Sequence, residues 1–84
     1  MPTIAIVDGV IVMIYPRDHQ PPHIHARIAE HECKIAIWDG ALLGGKLPKQ
    51  KLARLQDWLA LHRLEVASAW HEIHSGRSFK GRIT

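Results

Sequence analysis

The chain has 84 residues and a formal net charge of +3 at pH 7. This length predicts one small domain over residues 1–84 and excludes a multidomain enzyme. Hydrophobic residues make up 46% and charged residues 23% of the sequence, which excludes an intrinsically disordered chain. Cys33 is the single cysteine and no apolar run is long enough to span a bilayer, so we expect a cytoplasmic protein without disulfides or a membrane segment.

The first predicted element is a β-hairpin. Residues 3–7 and 10–15 are rich in β-branched and apolar side chains, and Asp8-Gly9 between them is a strong signal for a two-residue turn. Pro16 ends the second strand because proline cannot donate a ladder hydrogen bond. Residues 17–22 (RDHQPP) therefore predict an exposed loop.

A second hairpin is predicted around a pair of histidines. Apolar and polar residues alternate from His23 to Ile28 and again over residues 33–38, with a turn at residues 29–32. Pairing Ile28 with Cys33 places both on the core face. His23 and His25 then face outward, with His23 opposite Trp38.

One long helix completes the prediction. Residues 41–43 can add a short strand, and residues 48–74 contain Pro48 at the start and no later proline or glycine. Residues 75–84 form a basic tail. We therefore expect an α+β fold, an antiparallel sheet of four to five short strands packed on one long C-terminal helix.

The histidines of the second hairpin suggest acid–base chemistry on RNA. Cleavage of a phosphodiester by its own 2′-hydroxyl needs a base, an acid and cations for the developing charge. His23 and His25 are the predicted acid and base, and Arg17 and Arg27 the predicted phosphate ligands. Trp38 could stack an RNA base on the same face.

Two other interpretations of these histidines remain open. His19, His23 and His25 could hold a zinc ion, since imidazole is a common zinc ligand, but Cys33 has the parity of the core face and cannot join them. We therefore favour no metal site and expect no cofactor. The histidines could also only shape the proline-rich loop.

Basic residues also cluster at the start of the predicted helix. Lys46, Lys49, Lys51 and Arg54 lie where the helix dipole disfavours cations, so they serve something other than helix stability. Lys46 and Lys49 are the residues we expect to meet phosphates or an acidic partner.

Several motifs together resemble one bacterial family. They are the opening MPTI, Asp8-Gly9, the segment DHQPPHIHA, the run at residues 45–48 and WLALHR at residues 58–63. This set resembles the family called domain of unknown function 4160. The resemblance implies a component of a compact two-gene module of the toxin-antitoxin kind, whose partner is the product of the adjacent small gene.

From the residues and the resemblance together, we expect a toxin-like protein that acts on RNA, as a metal-independent endoribonuclease using His23 and His25. The alternative is a non-enzymatic module that binds nucleic acid or a partner protein. Because so small a chain buries only a small core, a homodimer that buries more surface is also possible.

Overall fold

A computed structural model describes residues 3–79 and 81–83, which form a five-stranded sheet and two helices. The strands follow chain order across the sheet, and every neighbouring pair is antiparallel. The α+β class and the antiparallel sheet are therefore confirmed. The elements are β1 (Thr3–Val7), β2 (Val10–Met13), β3 (His23–Ile28), β4 (His31–Ala36), β5 (Leu42–Lys46), α1 (Lys49–Leu61) and α2 (Arg63–His74).

The first hairpin forms at the predicted turn. Asp8 and Gly9 both have positive φ, 50° and 82°, as a two-residue turn that matches the twist of the strands requires. Val7 pairs with Val10 directly across this turn. The second strand ends at Met13, two residues before the expected end at residue 15.

The register of the second hairpin differs from the prediction. Ile28 pairs with His31 instead of Cys33, because the turn consists of residues 29 and 30 only, with Ala29 at a φ of 53°. The shift along β4 is two residues, so the side chains keep their predicted faces. Trp38 lies in the turn after β4 and is not opposite His23, which pairs with Ala36.

The last strand is longer than expected and depends on a glycine. β5 continues through Gly44 and Gly45, and Gly45 has a φ of +77°. A Cβ at Gly45 would overlap the carbonyl oxygen of Glu32 and lie 2.7 Å from the Cα of Cys33. Glycine therefore lets β5 approach β4 closely here.

The predicted single helix over residues 48–74 is wrong, because the chain breaks at His62. This residue has φ −115° and ψ 20°, and its N–H donates to the carbonyls of Trp58 and Leu59. Arg63, the first residue of α2, donates from Nε to the Ile37 carbonyl at 2.8 Å. The two helices are tied separately to the turn after β4, since Gln56 of α1 also donates to the Gly40 carbonyl at 2.8 Å.

The core lies between one face of the sheet and the two helices. Both helices contribute buried side chains, and Trp58 packs against the core from a half-buried position. Trp70 is 6% exposed, so it is a core residue. The core members are Ile4, Ala5, Val10, Val12, Ile14, Ile24, Ala26, Cys33, Ile35, Ile37, Leu47, Leu55, Leu59, Val66, Ala69, Trp70, Ile73 and Ile83.

Part of the predicted basic tail returns to the sheet. The Ile83 N–H donates to the Ile4 carbonyl at 2.8 Å, and the Ile83 side chain is buried. Lys80 and Thr84 of this tail lie outside the described residues. Neither of the two helices has the length and apolar character needed to cross a membrane, among the residues that the structure describes.

The close contact at Gly45 generates a stability prediction. We expect Gly45→Ala to lower the free energy of unfolding by more than about 1 kcal/mol, because alanine disfavours positive φ and its Cβ overlaps the β4 backbone. Gly44→Ala is the matched control, since a Cβ there meets no atom within 4 Å. Urea unfolding of both variants measures the difference, and equal stabilities would contradict the prediction.

Burial of Cys33 generates a pH prediction. Desolvation, with a smaller effect of the Glu32 carboxylate, raises the pKa of the Cys33 thiol from 9.0 to about 11. The unfolded chain therefore releases this proton at lower pH than the folded chain, so the free energy of unfolding should fall as pH rises from 9.0 to 11.

Denaturant titrations below pH 9.0 and within this window measure the effect. The variant Cys33→Ala is the control, because every other titrating group remains in it. An identical pH slope in the two proteins would contradict the prediction.

Candidate functional site at the histidine strand

The two histidines of β3 lie on the sheet face away from the main core. Ile24 and Ala26 are fully buried in that core, and His23, His25 and Arg27 alternate with them. We call this side of the sheet the outer face. Its register neighbours in the other strands are Met13 of β2, Glu32 and Lys34 of β4, and Lys46 of β5.

The expected exposure of these histidines is wrong. His23 is 4% and His25 is 7% exposed. The Tyr15 ring meets the His25 ring edge-on with centroids 4.4 Å apart, and the Trp70 ring lies 5.4 Å from that of His23. The loop that follows β2 and the second half of α2 therefore cover a surface that strand alternation alone leaves open.

Asp18 joins the two histidines. Its Oδ2 atom lies 2.7 Å from Nε2 of His25 and 3.2 Å from Nε2 of His23. The two imidazole centroids are 5.1 Å apart. The carboxylate thus sits between the two rings, and we call Asp18, His23 and His25 the histidine–aspartate cluster.

The other ring nitrogens of the cluster face different neighbours. Nδ1 of His23 lies 2.8 Å from the Pro21 carbonyl oxygen. Nδ1 of His25 is buried without a hydrogen-bond partner and lies 4.0 Å from Oε2 of Glu32. The Glu32 side chain is half exposed.

A third histidine supports the loop from α2. The His74 ring stacks on Trp70 with centroids 3.7 Å apart. Its Nε2 lies 2.9 Å from the Asp18 carbonyl oxygen, and its Nδ1 lies 3.0 Å from the Trp70 carbonyl oxygen. The main chain that carries Asp18 is therefore held by the end of α2.

The structure brings together only some of the predicted site residues. His19 is exposed, with Nδ1 2.9 Å from the Gln20 carbonyl oxygen, and it lies outside the cluster. Arg17 is exposed in the turn after β2, and Arg27 is half buried on the outer face. Trp38 is 58% exposed in the turn after β4.

The lysines separate into two groups. Lys46 lies across from Glu32 at the end of β5, and Lys49 is exposed at the first residue of α1. Lys51 donates to Asp8 at 3.1 Å, and Arg54 lies 3.6 Å from the same carboxylate. Two cations of α1, Lys51 and Arg54, are therefore held by the first hairpin.

Sequence reasoning missed Asp18. Its carboxylate reaches the histidines only because the loop folds back over the outer face, and no periodicity encodes that return. The available signal was an acidic residue a few positions before a His-x-His pair.

As arranged, the cluster can position imidazole rings, exchange a proton with Asp18, or bind a cation at three convergent donor atoms. Asp18, His23 and His25 each offer one ligand atom, and these atoms all lie within 4.8 Å of one another. Cys33 lies on the core face and contributes nothing to this cluster.

Comparison with known proteins identifies the family but no characterised relative. No curated protein and no solved structure matches the chain. The family model described as Domain of unknown function (DUF4160) matches residues 9–71, which include β3, the loop before it and most of both helices. On this match over most of its length, the chain belongs to the DUF4160 family.

Proposed function

We propose that the protein is the toxin-like component of a two-gene bacterial module and that it acts on RNA bound across the outer face of its sheet. The observation that carries this proposal is the set of cations on that face, Arg27, Lys34 and Lys46. Arg27 and Lys46 both pair in register with Glu32, and Lys34 pairs with His25. The three cations therefore lie around one acidic residue on adjacent strands.

These three cations are available to a ligand. Among the residues that the structure describes, neither Arg27, Lys34 nor Lys46 forms an ion pair, whereas Lys51 and Arg54 share Asp8. Lys34 and Lys46 are both exposed. A phosphate backbone gains most from cations that need not leave an acidic partner first.

Exposed residues in segments that adjoin the strands extend the proposed contact. Arg17 is exposed in the loop that covers the cluster, and Lys49 is exposed at the start of α1. The exposed ring of Trp38 offers a stacking surface to an unpaired base, a contact that tolerates any base identity. The proposed antagonist is the product of the adjacent small gene.

RNA cleavage is the enzymatic form of this function, with His23 and His25 as acid and base. The Asp18–His25 pair favours it, because a carboxylate 2.7 Å from one ring nitrogen orients an imidazole for proton transfer at the other. That other nitrogen, Nδ1, lies next to Glu32 of the outer face but is buried. The geometry thus supports RNA binding more directly than cleavage.

The RNA-binding proposal predicts a loss of RNA affinity that depends on which basic residues are replaced. We expect Lys34→Glu/Lys46→Glu to weaken binding of a single-stranded RNA and to reduce the slope of log K against log salt by about 1.4, since each lost phosphate contact removes about 0.7. Fluorescence anisotropy at several salt concentrations measures both quantities.

The control for this variant is Arg77→Glu/Arg82→Glu, which makes the same charge change at exposed positions after α2. It should bind RNA with nearly the parent slope. Equal losses in the two double variants would show that net charge, and not the outer face, governs binding.

The proposal of RNA cleavage predicts a separate loss of catalytic rate. We expect His25→Gln, which keeps a donor near Asp18, to lower the rate of RNA cleavage by about 10²–10⁴-fold and to abolish growth arrest in cells expressing the chain alone. Cleavage is measured on labelled RNA in chelator, with His31→Gln as the control at a more exposed position of β4. Undiminished cleavage in His25→Gln would contradict the proposal of RNA cleavage but not the proposal of RNA binding.

A further inference from the structure

The histidine–aspartate cluster poses a problem of proton placement. Three groups that can each act as a base, one carboxylate and two imidazoles, place an atom within 4.8 Å of one another. Hydrogen bonds between such groups require a proton on at least one of each pair. The neighbours of the other ring nitrogens determine where those protons lie.

The proton of His23 is fixed by the main chain. A carbonyl oxygen only accepts hydrogen bonds, so the 2.8 Å contact with the Pro21 carbonyl places a proton on Nδ1. In the neutral ring Nε2 then carries a lone pair, which faces Oδ2 of Asp18 at 3.2 Å. Two lone pairs at this distance repel each other unless a positive charge lies between them.

His25 differs from His23 in that no hydrogen bond fixes the proton of its Nδ1 atom. Its Nδ1 atom is buried without a partner, and the nearest charged group is the Glu32 carboxylate at 4.0 Å. A proton on Nδ1 would point toward that negative charge without forming a hydrogen bond at 4.0 Å, whereas a lone pair there would face the same negative charge. With the proton on Nδ1, Nε2 of His25 also presents a lone pair to Asp18, at 2.7 Å.

We propose that the cluster is a binding site for a divalent transition-metal ion of the zinc type, held by Oδ2 of Asp18, Nε2 of His23 and Nε2 of His25. Two imidazoles and one carboxylate form a donor set that zinc uses in proteins. The ion supplies the positive charge on which the three lone pairs converge. His23 directs its remaining N–H at the Pro21 carbonyl oxygen, which is the usual outer-sphere arrangement of a metal-binding histidine, and Nδ1 of His25 lies 4.0 Å from the Glu32 carboxylate.

The separation of the donor atoms fits such an ion after a small movement. Ligand atoms around a tetrahedral zinc with bonds of about 2.0–2.1 Å lie roughly 3.4 Å apart. The two separations from Oδ2 are 3.2 Å and 2.7 Å, so Oδ2 of Asp18 needs to move away from Nε2 of His25 by about 0.7 Å and from Nε2 of His23 by about 0.2 Å. Asp18 lies in the loop after β2, where such a movement disturbs no strand pairing.

The burial of the cluster suits a bound ion. The side chains of His23 and His25 are 5% and 9% exposed, and that of Asp18 is 22% exposed. The rings are therefore shielded from solvent, while the carboxylate leaves one side through which an ion can enter and a water can complete the coordination. The ion would tie the loop after β2 to β3.

This site differs from the zinc site that the sequence analysis considered but did not favour, in which His19 was the third ligand. The exposed His19 ring centroid lies 6.3 Å from that of His23, and its Nδ1 faces the Gln20 carbonyl oxygen. His19 is thus a nearby histidine of the same loop that the proposed site does not use. It provides the matched control for the test.

The test uses the full chain produced without a histidine tag, treated with chelator and titrated with zinc chloride by calorimetry. We expect one zinc per chain, and binding about 100-fold weaker or lost in Asp18→Asn, His23→Gln and His25→Gln. His19→Gln should bind like the parent. Circular dichroism establishes that each variant is folded.

A second measurement needs no variant. Nitrogen-15 NMR of the histidine rings in the zinc-loaded parent should show His23 and His25 protonated at Nδ1, with the Nε2 resonances shifted by the metal. A proton on Nε2 of His25 in the presence of saturating zinc would overturn the proposal, and so would the absence of zinc binding by the parent.

Loss of binding in His19→Gln as large as in Asp18→Asn would also overturn it, because the ligand set would then be another one. The proposal does not depend on RNA binding. Lys34→Glu/Lys46→Glu keeps all three ligands, so it should bind zinc even if the proposed function fails.

Discussion

The position of one carboxylate between two imidazoles is the constraint on which the outer side of this protein depends. Asp18 comes from the loop, and His23 and His25 come from the strand that follows it. The Asp18 side chain is 22% exposed, and a partly buried carboxylate needs partners that replace its lost hydration. The loop must therefore return over β3, and in doing so it buries a strand face that would otherwise be open to solvent.

The other side of the sheet is governed by packing. A single helix over residues 48–74 would be about 40 Å long at 1.5 Å per residue, whereas the longest extent of the molecule is 33 Å. Breaking the helix at His62 lets both halves lie on the sheet and bury apolar side chains. Arg63 and Gln56 reach the same turn from different helices, which fixes the angle at the break without proline or glycine.

The features of the fold that depend on neighbouring residues could be predicted from the sequence, whereas those that depend on tertiary contacts could not. Alternation and Asp8-Gly9 predict the strands and their faces, because these signals act between neighbouring residues. The register of the second hairpin depends on the length of its turn, and no glycine marks that turn, where Ala29 takes the positive φ. The predicted register was therefore wrong by two residues. The break at His62 and the approach of Asp18 to His25 arise from tertiary contacts, which a residue pattern does not contain.

His74 has a consequence for how the helix and the loop are joined. Both of its ring nitrogens lie within 3.0 Å of carbonyl oxygens, one of Asp18 and one of Trp70. A neutral imidazole has a single N–H and can donate to only one of these oxygens, whereas the imidazolium donates to both. In the neutral ring, the tautomer therefore decides whether the N–H of His74 joins α2 to the loop or stays within the helix.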